Sequence, residues 1–445
     1  MSDMIETLKA AGQDALAAHL ETLSGDARAN LERDIASQDW EELKQLHAEK
    51  STADLSKNVA GELRPMPWKI AEDDLRYDFW KETGEVVLGK GQVAAFLVAG
   101  GQGSRLGFDG PKGMFDIGLP SHKSLFQLQA ERIKNLGAQV GHPIPWCIMT
   151  SPLNHKATVN FFEENSFFGM DRNDIRFFEQ GTICALDPNG KAVLDGEDHL
   201  ALVPDGNGGC FRALAQSGTL AWLVEKGVRY LFLYSVDNAL CRICDPAFIG
   251  ALAADGHAIS ASKVVHKAGP QERVGIFAFQ DGKPGVVEYS DLPDNFRDMT
   301  NADGSLTFDG GNIAVHLFKI EGLRKLQTSR LPWHTARKKV CGIENCWKFE
   351  QFLFDAFPLL GSMLPFGVVR EEEFSPVKNA EGVDSPKTAR IMIGKLHREW
   401  LEKAHVEVNP HKLYEISPSL SYAGEGLTRR LFERELGRGI LEFDE

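Results

Sequence analysis

The stretch VAAFLVAGGQGSRLGFDGPKG, residues 93–113, decides how this chain reads. Its first seven residues are apolar; the fourteen from Gly100 to Gly113 hold six glycines, Arg105 and Lys112. An apolar run before a glycine cluster reads as a buried strand of an α/β sheet, and SLFQLQAERIKNLG after it reads as a helix. A loop between such a strand and helix lies at the carboxyl end of the sheet, where open α/β folds bind ligands, and its bare amides suit phosphate. Three nucleotide loops compete for this pattern. A Walker loop needs Gly-x-x-x-x-Gly-Lys-Ser/Thr, whereas Lys112 here sits between Pro111 and Gly113. A dinucleotide fingerprint needs Gly-x-Gly-x-x-Gly, and Gly101, Gly103 and Gly107 are one residue too widely spaced. The reading that remains is a nucleoside triphosphate loop, with Arg105 and Lys112 neutralising phosphate charge. A ligand-free tight turn accounts for two glycines better than for a cluster that also carries two cations.

Working outward, short apolar runs alternate with helical patterns: IPWCIMTS, HKATVNFFEENS, IRFFEQ, GTLAWLVEKG, VRYLFLYSVDN, DPAFIGALAADG and AISASKVVH. This is the grammar of a mixed or parallel α/β sheet. RVGIFAFQ and GVVEYS, joined by Asp281-Gly282-Lys283-Pro284, read as a hairpin with an Asp-Gly turn. Before them, Leu8, Leu16 and Leu20 recur near helical spacing, Ser24 or Asp26 offers a helix cap, and Asp39-Trp40-Glu41-Glu42 resembles a capping box. After about residue 370 the pattern turns short and β-rich, ending in a helix at LTRRLFERELGRG. The expected organisation is a helical N-terminal region over 1–62, a catalytic domain over 63–372 and a small β-rich C-terminal domain over 373–445.

At 445 residues, 43% hydrophobic and 25% charged, the chain has ordinary globular composition. A net charge of −14 excludes a protein that coats nucleic acid or anionic membrane, so any anionic ligand must be small and locally held. The acidic, amphipathic start is unlike a signal peptide, and no stretch nears the roughly 20 apolar residues of a membrane span, so a cytoplasmic protein is expected. Seven thinly spread cysteines fit reduced thiols. Cys241-x-x-Cys244 with Cys341 and Cys346 could hold zinc, but small buried hydrophobes are the stronger reading.

Four further stretches carry candidate chemistry. VPDGNGGCFRAL places Asn207 among Gly206, Gly208 and Gly209 before a helix; Asn207 either bonds a sugar or takes a left-handed turn. Asp237 ends the strand YLFLYSV, where it either holds Mg²⁺ against a phosphate or caps the helix of DPAFIGAL. Glu288, placed on a strand, and Asn312 beside two glycines either read sugar hydroxyls or close turns. Lys378, in EEEFSPVKNAEGVDSPKTAR, reads from its surroundings alone as a solvated lysine.

Taken together, LVAGGQGSRLGFDGPKGMFDIGLPSHKSLFQLQAERI, PDGNGGCFRAL, YSVDN, VVEYSDLP, GGNIAVHLF and EFSPVKNAEGVDSPKTAR resemble the eukaryotic-type UDP-N-acetylglucosamine pyrophosphorylases, within the UTP:sugar-1-phosphate uridylyltransferases. The resemblance spans roughly residues 60–400. It implies a Rossmann-like, GT-A-like mixed-sheet nucleotidyltransferase domain between a helical N-terminal part and a small β-rich C-terminal part. The implied reaction joins UTP to N-acetylglucosamine 1-phosphate, giving the UDP-sugar and pyrophosphate, with Mg²⁺ or alternatively Mn²⁺. It further implies Gly100, Gly101 and Gly103 near the uridine, Arg105 and Lys112 on the phosphates, and Gln180 on the uracil with Gly206 close by. Asn207, Glu288 and Asn312 would hold the sugar, Asp237 the metal, and Lys378 the phosphates from the C-terminal side. Ser104, the EQGTICAL stretch and Val315 depart from the family pattern, the last two bearing on sugar choice. Competing readings are a pyrophosphorylase for glucose, galactose or N-acetylgalactosamine 1-phosphate, a UDP-sugar-dependent glycosyltransferase, and a non-catalytic UDP-sugar-binding protein. A monomer or weak homo-oligomer is expected.

Overall fold

The computed structural model describes residues 2–52, 61–289, 291–329 and 331–445. Positions 53–60 of the expected helical region, and Ser290 of VVEYSDLP, lie outside them. The chain divides into two compact units, each assembled from separated segments: 1–58, 180–212 and 330–356 form one, and 59–179, 213–329 and 357–445 form the other. The helical N-terminal region thus shares a unit with two later segments, and the C-terminal stretch belongs to the larger unit.

The smaller unit begins with helices Ser2–Ala10, Asp14–Thr22, Gly25–Ala36 and Trp40–Thr52. Asp39 Oδ1 accepts the N–H of Glu42 at 2.9 Å, the helix-start bond that its sequence suggests. Leu8, Leu16, Leu20, Leu31 and Leu43 are buried, and they pack with Ile183, Leu200, Trp333 and Trp347 from the later segments. Strands Thr182–Cys184 and Leu202–Pro204 pair antiparallel, as do His334–Val340 and Ile343–Glu350.

The larger unit is built on a ten-stranded mixed sheet. At its centre Val93–Val98 lies parallel to both Trp146–Thr150 and Tyr230–Ser235. These strands are buried on both faces, which is why they read as continuous apolar runs. Gly310–Lys319 joins antiparallel to Tyr230–Ser235 and to Ser260–His266. The predicted hairpin is present with a shorter turn: Ile276–Gln280 pairs with Lys283–Val287 through Asp281 (φ 51°) and Gly282 (φ 76°) alone, Lys283 and Pro284 joining the second strand. Both turn angles are positive, as a two-residue hairpin of this hand requires.

Helix Leu125–Val140 starts where Ser124 Oγ accepts the N–H of Gln127. Its Gln129 and Arg132 donate to the carbonyls of Val236 (3.1 Å) and Cys241 (2.6 Å), pinning the chain after the central strand Tyr230–Ser235. The C-terminal stretch carries the two-stranded pair Leu413–Ile416 and Ile440–Phe443, and also the 18-residue helix Pro386–Lys403, begun by a Ser385/Thr388 capping box. Ile393, Leu396 and Trp400 of that helix share a core with Leu106, Ile117, Leu119 and Leu128.

Candidate active site

The Gly100–Gly113 loop leaves the central strand and closes on itself. Gly103 N–H donates to the Gly110 carbonyl (2.9 Å) and Lys112 N–H to the Gly101 carbonyl (3.1 Å). Among the described residues, the N–H groups of Gly100, Gly101 and Gln102 have no acceptor. Asn154, fully buried, holds the base of the loop: its Nδ2 donates to the carbonyls of Ala99 (3.0 Å) and Gly101 (3.3 Å). The reading of the sequence missed Asn154; its only signal is a position just before helix His155–Glu164.

The glycines of this loop serve different ends. A Cβ on Gly113 would lie 2.2 Å from the Phe126 ring, so packing alone forbids a side chain there. A Cβ on Gly101 would meet nothing within 4 Å, so no protein atom accounts for its bareness. Arg105 is exposed and pairs with no carboxylate among the described residues.

Lys112 Nζ stands 3.5 Å from Asp237 Oδ2, the two side chains only 15% and 20% exposed. Asp237 does not cap the next helix; Asp245 does, its Oδ1 accepting the N–H of Ala247. The backbone of Asp237 instead receives the segment that carries Lys378: Val377 N–H donates to the Asp237 carbonyl (2.9 Å), and Ala239 N–H to Ser375 (3.1 Å). Lys378 is therefore no loose lysine. Its ammonium lies 3.7 Å from Asp384, over the Phe374 ring, and its N–H bonds the Asp384 carbonyl.

Glu288 falls one residue beyond the strand Lys283–Val287 rather than on it, because the ladder with Ile276–Gln280 ends at Val287. It meets Asn312 at Gly275. A Cβ on Gly275 would lie 3.0 Å from Glu288 Oε1, and Asn312 N–H donates to the Gly275 carbonyl (2.8 Å). Burial and the neighbouring Asp291 raise the Glu288 carboxyl, while Lys378 opposes the rise, so this carboxylate lies within the field of the lysine. Asn312 Oδ1 accepts the N–H of Ala314, whose φ of 55° marks the bulge opposite Ser262 and Val264. Val315 is fully buried in the sheet core, so its departure from the family pattern is one of packing.

Gln180, Gly206 and Asn207 belong to the smaller unit. Thr182 pairs with Pro204, and Asp205 N–H donates to the Gly181 carbonyl, which brings Gln180 and Gly206 to one end of this ribbon. Gly206 (φ 91°), not Asn207, takes the positive backbone angle, and a Cβ there would lie 2.3 Å from the Gln351 carbonyl oxygen. Asn207 Oδ1 accepts the N–H of Leu353 (2.9 Å), leaving its amide N–H groups as donors. This second glycine run is thus largely explained by backbone packed on backbone.

Cys241 and Cys244 are fully buried, and burial pushes the Cys241 thiol up to about 12, a state suited to packing rather than to metal ligation. Among the described residues no three His, Cys, Asp or Glu side chains gather as a metal site. Mg²⁺ asks less: one or two carboxylates plus substrate phosphates, and the part-exposed Asp237 fits that role. A cavity of about 1100 Å³ elsewhere in the unit, lined by Tyr77, Arg242, Glu372, Trp400 and Tyr422, contains none of the candidate residues.

A glycine loop at the carboxyl end of a parallel sheet centre, Lys112 beside the Asp237 carboxylate that follows a central strand, and Lys378 on the segment bonded to the Asp237 backbone define a nucleotidyltransferase. The pattern of the UDPGP family, UTP–glucose-1-phosphate uridylyltransferase, matches residues 43–425, and the chain belongs to that family. It is 38% identical to UDP-N-acetylglucosamine diphosphorylase 1 of Arabidopsis thaliana, over 95% of this chain and 90% of that protein. It is also 38% identical to UDP-N-acetylglucosamine pyrophosphorylase of Saccharomyces cerevisiae, over 86% and 87%. Its fold matches the crystal structure of the Trypanosoma brucei uridine diphosphate N-acetylglucosamine pyrophosphorylase in complex with inhibitor: TM-score 0.82, 30% identity, covering 98% of this chain and 95% of that one.

Proposed function

We propose that this chain is a uridylyltransferase that makes UDP-N-acetylglucosamine and pyrophosphate from UTP and N-acetylglucosamine 1-phosphate. One observation carries the reading: Lys112 and Asp237 face each other at 3.5 Å, and the segment ending in Lys378 is hydrogen-bonded to the backbone of Asp237. A phosphate oxygen of the sugar phosphate attacks the α-phosphorus of UTP in line. A new P–O bond forms, the α–β bridging bond breaks, and pyrophosphate leaves with that electron pair. The protein needs no nucleophile of its own. Its task is to align two polyanions and offset their repulsion, an electrostatic and positioning role.

Lys112, Arg105 and Lys378 supply the fixed positive charge, and the free amides of Gly100, Gly101 and Gln102 face the nucleotide. Asp237 holds Mg²⁺, or Mn²⁺ in its place, and the ion when bound neutralises phosphate charge. Glu288 and Asn312 take the sugar hydroxyls. Buried free thiols such as Cys147, Cys184 and Cys210 support a reducing, cytoplasmic setting, where the chain works as a monomer or weak homo-oligomer.

The test is pyrophosphate release from UTP with a panel of sugar 1-phosphates. Preference for N-acetylglucosamine 1-phosphate is expected. Preference for glucose or galactose 1-phosphate would overturn the substrate while sparing the reaction, and no release with any sugar would overturn both.

A further inference from the structure

Next to Asp237 and Lys378 lies a buried charge cluster that the transfer step, as described, does not use. Lys263, on strand Ser260–His266, is fully buried, with its Nζ 2.7 Å from Asp245 Oδ2 and 2.6 Å from Glu373 Oε1. Arg242 adds a second cation, paired with Glu372 and close to Glu373. Burial alone would neutralise Lys263, but Asp245 and Glu373 hold its ammonium charged.

From this cluster a chain of bonds runs to the candidate site. The Glu373 carbonyl accepts Nδ2 of Asn238 (2.8 Å), and Asn238 Oδ1 accepts the N–H groups of Ser375 (3.0 Å) and Leu240 (3.3 Å). Asn238 follows Asp237, and the segment it clasps, Glu373 to Val377, ends at Lys378. Buried ion pairs are weak stabilisers, since an apolar group of equal volume serves packing as well. What this one provides is geometry: it fixes Glu373, and Glu373 together with Asn238 sets the register of the Lys378 segment along Asp237.

We infer that Lys263, Glu373 and Asn238 form a positioning relay that holds the Lys378 segment against Asp237 for uridylyl transfer. This rests on Lys378 acting on the phosphates, as proposed above. The relay acts only through Lys378, which distinguishes it from a merely structural network.

The experiment is a double-mutant cycle in kcat and KM, with Asn238→Ala made in wild-type and in Lys378→Ala protein. With Lys378 present, Asn238→Ala should lower kcat about tenfold or more and change KM for UTP less than about threefold; with Lys378 removed it should cost about twofold or less. Equal losses in the two backgrounds would overturn the relay. A Lys378→Ala protein with wild-type kinetics would instead overturn the role of Lys378, and the relay with it. If Asn238→Ala does not fold, Lys263→Arg, which keeps the buried charge but shifts its contacts, carries the same cycle with the same expectations.

Discussion

Lys112 Nζ and Asp237 Oδ2 lie 3.5 Å apart across 125 residues of sequence, neither side chain more than a fifth exposed. The pair is largely buried, so removing its lysine leaves the Asp237 carboxylate short of a partner, at a cost of about 1–3 kcal/mol. Lys112→Ala should therefore stay folded, destabilised by no more than about 3 kcal/mol, while losing about a hundredfold in kcat/KM. Denaturant unfolding and steady-state kinetics on one preparation check this, and near-normal turnover would remove Lys112 from the mechanism.

Asp237→Asn keeps the shape of the side chain but removes its charge. If Asp237 holds the metal, the Mg²⁺ concentration for half-maximal rate should rise at least about tenfold, with the unfolding midpoint little changed. An unchanged Mg²⁺ titration would place the ion elsewhere.

Two glycines of one loop should respond oppositely to the same substitution. Gly113→Ala drives a Cβ to within 2.2 Å of the Phe126 ring and should destabilise by about 1–3 kcal/mol. Gly101→Ala meets no protein atom, so its stability should stay within about 0.5 kcal/mol of wild type, while KM for UTP rises about tenfold as the added methyl enters the nucleotide's space. A Gly101→Ala enzyme with unaltered KM would mean the ligand does not approach there.

Asn154→Ala removes both bonds to the base of the loop and should cost about 1–3 kcal/mol. The loss should be local. Hydrogen exchange of the amides from Gly100 to Gly103 should accelerate relative to the central strand, and uniform exchange across the unit would count against Asn154 as the anchor.

His397 is buried, with its pKa pushed down to about 3 by burial and by the nearby Arg132, and its Nδ1 accepts the N–H of Ile416. The unfolded chain binds this proton near pH 6.5 and the folded one near 3, so between those values the unfolded state holds more protons. Stability from this residue is full above about pH 6.5 and falls on acidification at up to about 1.4 kcal/mol per pH unit. In urea unfolding at several pH values His397→Phe should show a shallower acid loss than wild type, and parallel curves would refute the assignment.

The glycine loop, the central strands and the Asp281-Gly282 hairpin were legible because each is encoded by neighbours in sequence: an apolar run, a turn pair, a cation beside glycines. Lys263 was not. In SASKVVH it looks like any charged strand residue, and only Asp245 and Glu373, brought in by the fold, make it a buried ion. Glu373 likewise sits in an acidic run that reads as solvated, yet is 2% exposed. Asn207 shows the converse. Its glycine-rich setting suggests a ligand loop, whereas much of that bareness serves the close approach of residues 351–353.

The smaller unit gathers its core from three stretches of chain, so its order of completion differs from its order of synthesis. A ribosome releases the four leading helices first, while Trp333 and Trp347, which cover Leu8, Leu20 and Leu43, emerge only after most of the large sheet has been made. During that interval the helices carry an uncovered apolar face, the condition in which nascent chains aggregate or recruit chaperones. These helices are thus translated well before the segments that complete their core, and finish folding late.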